Sequence, residues 1–242
     1  GYPKALQAKT RPKKEQPLDT TYKLTPGKSK GYVRKTKEEH PNNCWGSYIQ
    51  FGARNFALNA IIRMGQAILT PDFYTELRTE QQLGYIVHSG LRFHEKALGM
   101  LFLVQSSEYD PYEIELRYQA WVPLVLKKLE SMSNFEFDTY KNGVINQLKE
   151  QDKTINERHS TLYFEAITMN EQFNYKEKII EAAKKLTKDR VSAAFKDALN
   201  QAKKASLNIY VLSKKSTGNT PSVSNIEFIQ DKAQYKKTAK VY

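Results

Sequence analysis

A single cysteine, Cys44, is present in 242 residues. That excludes an internal disulfide and, by itself, a thiolate zinc cluster; the residue reads as a small half-buried side chain rather than a reactive thiol. Long hydrophobic runs are also missing. The most apolar stretch, Leu98 to Val104, falls far short of the about 18 residues that cross a bilayer, so no membrane span is expected. Histidine is scarce: His40, His88, His94 and His159 are the only four, and no two lie four positions apart. The helical zinc-peptidase motif H-E-x-x-H and its inverse H-x-x-E-H are therefore both absent. His94-Glu95 would need a second histidine where Leu98 stands, and Glu39-His40 would need one where Thr36 stands. Both near misses fall in expected strand or loop segments and read as surface groups, so no metal ligand set is expected in this chain. No G-x-S-x-G elbow and no phosphate-cradling glycine loop appears either. Gly84, Gly90 and Gly99 are isolated beside strands, where a bulge or a close backbone approach accounts for them.

Acidic residues are few at both ends. Residues 1–40 hold 11 Lys and Arg against 4 Asp and Glu, residues 203–242 hold 8 against 2, and the middle holds 19 against 20. The net charge of +12 thus belongs to the flanks, and the part expected to fold is nearly neutral. No basic and aromatic residues interleave in a recognised nucleic-acid motif, so no nucleic-acid role is expected. An acidic partner for the flanks stays open. The opening residues Gly1 to Lys4 carry neither an initiator Met nor a basic-then-apolar leader, which points to a piece of a longer chain and leaves the compartment unreadable.

What is present is a core: 40% hydrophobic and 12% aromatic residues suffice for one large domain. Residues 1–30, rich in Lys, Pro and Thr, read as a basic linker or lead-in. Residues 31–214 read as the compact domain, and 215–242 as a basic C-terminal extension. Gly31 to Lys35 and Trp45 to Phe51 are β-prone runs that could pair antiparallel. Asn55 to Leu69 is apolar nearly all round, which predicts a buried helix. Pro71 fits the first turn of a further short helix through Arg78. Leu83 to Phe93 and Leu98 to Gln105 predict a hairpin closed by His94 to Ala97. Tyr112 to Gln201 reads helical, with Ser133 to Glu136 as a capping box and Thr187 as a cap; Pro123 should kink or split its helix. A last strand, Ser206 to Leu212, completes an α+β domain whose antiparallel-rich sheet is packed by helices.

The run Phe73-Tyr74-Thr75-Glu76-Leu77-Arg78-Thr79-Glu80-Gln81-Gln82-Leu83-Gly84-Tyr85-Ile86-Val87 is the most informative. Taken as bare residue types, Arg78 reads as a surface ion pair with Glu76, Glu80 or Glu95, and Tyr85 as an ordinary strand aromatic. The whole run, however, resembles the F-x-x-L-R-T-x-x-Q-L-G-Y-x-V signature in the last domain of insulinase and pitrilysin peptidases. Gly31-Tyr32-Val33 with His40-Pro41-Asn42-Asn43-Cys44, and Leu98 to Ser106, are similar to that domain's opening strands and hairpin. The resemblance covers about residues 31 to 230, in motif order.

The resemblance implies an insulinase/pitrilysin-type domain that forms one wall of a chamber closed by a zinc-bearing N-terminal half, on the same or a separate chain. Zinc is then expected in that half and no cofactor in this chain; peptides are the substrates. Arg78 is implied to hold substrate backbone, and Tyr85 to donate a hydrogen bond to the scissile carbonyl as it becomes an oxyanion. Gln82 is read as a structural hydrogen-bonding residue, and His88 stands where the family often has an apolar side chain. The role implied is substrate binding and chamber formation without catalysis by this chain alone. Alternatives are a pseudo-peptidase scaffold of the same fold, and a module that binds peptides by edge-strand addition.

Overall fold

The computed structural model describes residues 20–37, 39–168, 173–200, 204–214, 216 and 226–242. Among them run six strands, β1 (Ser29–Lys35), β2 (Asn43–Ala53), β3 (Ile86–Phe93), β4 (Ala97–Ser106), β5 (Ser206–Leu212) and β6 (Ile226–Phe228). The helices are α1 (Phe56–Tyr74), α2 (Pro111–Ser131), α3 (Asn134–Lys149), α4 (Ile155–Tyr163), α5 (Tyr175–Lys184), α6 (Lys188–Leu199) and α7 (Lys232–Thr238). Two π-helical segments, Thr75–Glu80 and Phe164–Thr168, extend α1 and α4.

The strands form one sheet in the order β3-β4-β2-β5-β1-β6. Its β3/β4, β4/β2 and β2/β5 junctions are antiparallel, while β1 is parallel to both β5 and β6. The α+β class with an antiparallel-rich sheet is therefore what the chain adopts. Met100, Phe102 and Val104 of β4 are fully buried while Leu101, Leu103 and Gln105 between them are only half-buried, so helices cover one face. The core over that face is aromatic: Trp45 lies 4.8 Å from Tyr118, Phe73 lies 5.2 Å from Trp121, and Phe102 lies 5.1 Å from Tyr118. Each such ring contributes about 1.5–3 kcal/mol by leaving water.

The hairpin forms as expected, with His94 N–H donating to Ala97 O at 3.0 Å across the turn. Ser133 Oγ accepts from Glu136 N–H, and Thr187 Oγ1 from Arg190 N–H, so both residues cap their helices; the return bond from Glu136 that would complete the expected capping box does not form, while Thr154 and Glu157 make a complete one. Four expectations change. First, β1 and β2 do not pair: β5 lies between them, Tyr210 opposite both Trp45 and Val33. The long helical run between β1 and β5 supplies the crossover that a parallel pair needs. Second, Pro71 does not open a new helix but lies inside α1. An interior proline costs about 3 kcal/mol; continuing the helix keeps Ile68, Leu69, Phe73 and Leu77 on one buried face. Third, Pro123 does not split α2, which holds Tyr118, Trp121 and Val125 buried on both sides of it.

The fourth change concerns extent. Folded structure begins before Gly31 and resumes after Lys214. Leu24 is buried, its N–H donating to Gln50 Oε1 at 2.8 Å, and Gln50 Nε2 donates to Tyr22 O at 3.0 Å. At the other end β6 joins the sheet, its Ile226 and Phe228 packed on Gly31, and Tyr22 bridges Val241. Small Gly31 leaves the room that these apolar side chains fill, which basic composition alone conceals. Residues 1–19 and 217–225 of the expected flanks lie outside the described residues.

Candidate functional site

The fifteen-residue run divides by chemistry. Phe73, Leu77, Leu83 and Val87 point into the core and are at most 8% exposed. Phe73 and Leu77 sit four apart on one helical face, and α1 passes without interruption into the π turn that carries Arg78. Gln81 N–H donates to Glu76 O, five residues back, at 2.9 Å. Gln82 then takes the left-handed conformation, φ 50°, which costs a non-glycine residue about 1–2 kcal/mol. That reversal lets Leu83 N–H reach Leu77 O at 2.9 Å and returns Leu83 to the core. Gly84 follows against β4: a Cβ there would lie 1.8 Å from Gln105 O. Tyr85 emerges just before β3 with 83% of its surface exposed.

Arg78 and Tyr85 meet. The guanidinium carbon of Arg78 is 5.3 Å from the Tyr85 ring centroid, a cation–π contact worth about 0.5–1 kcal/mol at an exposed site. The ion pair to Glu76, Glu80 or Glu95 does not form. Glu76 instead accepts from Gln81 Nε2 at 2.9 Å, and no hydrogen bond or ion pair to another described residue engages the Arg78 guanidinium or the Tyr85 hydroxyl. Both donors therefore face a cleft of about 500 Å³, walled also by Tyr74, Gln82, Ser106 and Glu108. Gln82, expected to hold structure by a side-chain hydrogen bond, contributes through its backbone and leaves its side chain exposed at this cleft. His88 lies exposed on β3, at the edge of the sheet.

The surroundings hold the π turn in place. Asp72 accepts from Trp121 Nε1 at 2.8 Å and from Lys128 Nζ at 2.7 Å, tying the end of α1 to α2. Arg117 Nη1 donates to Gln81 Oε1 at 3.4 Å, pairs with Glu113 at 2.7 Å and covers the Tyr109 ring at 4.7 Å. Neither Asp72 nor Arg117 is legible as a site residue from sequence, because the partners that tie each to the far side of the turn lie 36 to 56 positions away. A larger cleft of about 730 Å³ lies elsewhere, beside Lys149, Asp152, Arg158 and Lys176. Three of its charged groups are engaged: Asp152 accepts from Thr161 at 2.8 Å and pairs with Arg158 at 3.5 Å and Lys176 at 3.8 Å. The smaller cleft is the one that holds Arg78 and Tyr85.

Metal chemistry has no home among the described residues, where no three His, Cys, Asp or Glu groups converge. His94 rests edge-on to Tyr48 at 5.0 Å, and His159 stacks on Tyr163 at 6.3 Å. Burial pushes the Cys44 thiol above its ordinary pKa, which disfavours the reactive thiolate. Among the described residues no helix is long and apolar enough to cross a membrane.

Residues 64–163 match the family model for "PQQ synthase PqqF-like, C-terminal lobe domain 4". The chain is 28% identical over 232 residues to an insulin-degrading enzyme of Drosophila melanogaster, covering 91% of itself and 23% of that protein. It is 32% identical over 152 residues to Protease 3 of Salmonella typhi, covering 63% of itself and 16% of that protein. The crystal structure of pitrilysin superposes with a TM-score of 0.78 at 23% identity, over 92% of this chain and 24% of that one. An M16 peptidase inactive domain from Pseudomonas fluorescens superposes at 0.56 with 16% identity, over 81% and 46%. The chain is similar, over most of its length, to the C-terminal-lobe domain of insulinase-family peptidases. It spans about a quarter or less of the length of the curated relatives it matches.

Proposed function

We propose that the chain is the substrate-binding, chamber-forming C-terminal domain of a zinc metalloendopeptidase whose metal sits in another domain. Arg78 holds the substrate backbone, and Tyr85 hydrogen-bonds the scissile carbonyl oxygen as negative charge develops on it. The observation that supports this reading is the pair itself: an 83%-exposed tyrosine beside an arginine, neither donor engaged by another described residue. A guanidinium supplies several fixed donors without losing its charge, and a phenol donates one hydrogen bond at neutral pH. Peptide substrates and a zinc-bearing half are the partners this role requires.

The test uses the full-length peptidase that contains this domain, with a peptide long enough to fill the chamber. Tyr85→Phe lowers kcat/KM by roughly ten- to a thousandfold, the cost of one transition-state donor, with zinc content unchanged. Arg78→Ala weakens both substrate binding and turnover. Wild-type turnover in both variants sinks the reading and leaves a pseudo-peptidase scaffold of the same fold in its place.

A further inference from the structure

A second feature lies away from the candidate site. Residues 20–32 and 226–242 fold together, reaching from β6 at the sheet's edge to Gln50 of β2 and Lys96 of the β3–β4 turn; Tyr22 bridges Val241 and Lys23 N–H donates to Lys240 O at 2.8 Å. These two segments hold seven lysines against two carboxylates. Both carboxylates are spent locally: Glu227 pairs with Lys30 at 2.5 Å, and Asp231 caps α7, accepting from Ala233 N–H at 2.7 Å. The other six lysines, Lys23, Lys28, Lys232, Lys236, Lys237 and Lys240, are exposed, and no described carboxylate pairs with them. Tyrosine rings set the spacing of the charges: Lys232 lies over Tyr32 at 4.4 Å, Lys30 over Tyr235 at 5.9 Å and Lys23 over Tyr242 at 5.5 Å. Tyr22 and Tyr235 lie 6.4 Å apart and join the three pairs into one surface.

We propose that this lysine-tyrosine surface docks an acidic, Asp- and Glu-rich polypeptide segment. Concentrated like charge raises the potential enough to gather an oppositely charged partner, and complementary charge fixes orientation and speeds encounter. Three features choose among polyanions. The cations are all lysine, compact point charges without the planar fork that grips phosphate or guanine in two places. The tyrosine faces are occupied by lysines, which leaves no stacking platform for unpaired bases. Among the described residues of these two segments Val241 is the one large apolar side chain exposed, with Ile209 of β5 opposite Tyr32, too little to anchor in a lipid interface.

Fluorescence anisotropy of a labelled oligoglutamate, titrated with the chain, tests the proposal. Binding is expected at low salt and weakens as ionic strength rises from about 0.01 to 0.15 M, where the screening length falls from about 30 to 8 Å. The triple variant Lys232→Glu, Lys236→Glu, Lys237→Glu weakens binding at least roughly tenfold. Reversing three exposed lysines elsewhere, Lys127, Lys153 and Lys185, changes it less than about twofold, because net charge alone is not the determinant. Glutamine at 232, 236 and 237 keeps the test decisive if the reversed variant fails to fold. Equal loss in the two triple variants overturns the proposal, and so does tighter binding of duplex DNA or anionic phosphatidylserine vesicles than of oligoglutamate at matched salt.

Discussion

Two neighbouring positions in the site should respond to glycine chemistry with opposite signs. Gly84 does not occupy the left-handed region, whereas Gln82, two residues earlier, does at φ 50°. At 84 an added Cβ would lie 1.8 Å from Gln105 O, 2.8 Å from Gln105 C and 3.1 Å from Ser106 Cα. All three are backbone atoms at the end of β4, so nothing flexible can yield. The turn must lift off the strand. Gly84→Ala should therefore destabilise the domain by about 1–3 kcal/mol, the usual cost of overpacking, with the upper half of that range favoured by the backbone clash. For a chain of this size that lowers Tm by roughly 2–4 °C per kcal/mol. At 82 glycine removes the left-handed penalty of about 1–2 kcal/mol and adds unfolded-state entropy worth about 0.4–1, leaving Gln82→Gly neutral to about 1.6 kcal/mol stabilising. Urea unfolding of the isolated chain reads both changes. If Gly84→Ala fell within about 0.5 kcal/mol of wild type, the Gly84 contact with β4 would not be tight, and the account of how Tyr85 is placed would fail.

Other consequences are as direct. Asp72→Ala leaves the Trp121 indole N–H, in a residue 1% exposed, without its acceptor, and should cost about 1–3 kcal/mol in the same urea assay; a change near zero would mean that α1 and α2 are not joined there. Glu115, buried and accepting from Tyr210 Oη at 2.6 Å, has its pKa raised above the ordinary 4.5 by burial. Its folded-state preference for the proton gives stability that is full below about pH 4.5 and is lost as pH rises through the folded value. Lys204 is shifted the other way by burial, below its ordinary 10.5, so its contribution is present above that value and lost as pH falls. Glu115→Gln should flatten the acidic side of the stability profile, and an unchanged slope there would remove Glu115 as its source.

The elements legible in the sequence were those fixed by local rules. A buried helix after Asn55, a hairpin around His94 and caps at Ser133 and Thr187 each follow from side chains within a few residues of one another. The errors share one origin, which is tertiary burial overriding a local signal. Pro71 read as the first turn of a new helix and Pro123 as a point where the helix kinks or splits, yet each lies inside a helix that buries Leu69 and Phe73, or Trp121 and Val125, on either side of it. Sheet order fails similarly, since β1 and β2 are neighbours in sequence but the strand that separates them lies more than 150 residues further on. Charge misled at the C-terminus, where Ile226 and Phe228 alternate within a basic segment and complete the sheet beside Gly31.

Legibility of the site divides along the same line. The identities of Arg78 and Tyr85 came from the length of the motif, and no composition or spacing rule selects them from the 38 Lys and Arg or the 15 Tyr. Their geometry needed the fold, because two ordinary stretches of backbone bring them together. The π turn shifts Arg78 around the helix axis, and left-handed Gln82 sends the chain back so that Tyr85, seven residues on, stands beside it. Gln82 carries no sequence cue for that conformation, which glycine or asparagine usually takes, and the nearby Gly84 draws attention to the wrong position. The motif's polar and apolar members thus have separate physical reasons: the apolar ones hold the turn against Trp121 and β4, and the two polar ones stay unsatisfied at its surface. Glu76, two positions before Arg78 and so on another side of the helix, accepts from Gln81, and no described residue pairs with the Arg78 guanidinium. In the free domain water solvates that charge at little cost; in the reading proposed above, substrate backbone supplies the acceptor instead.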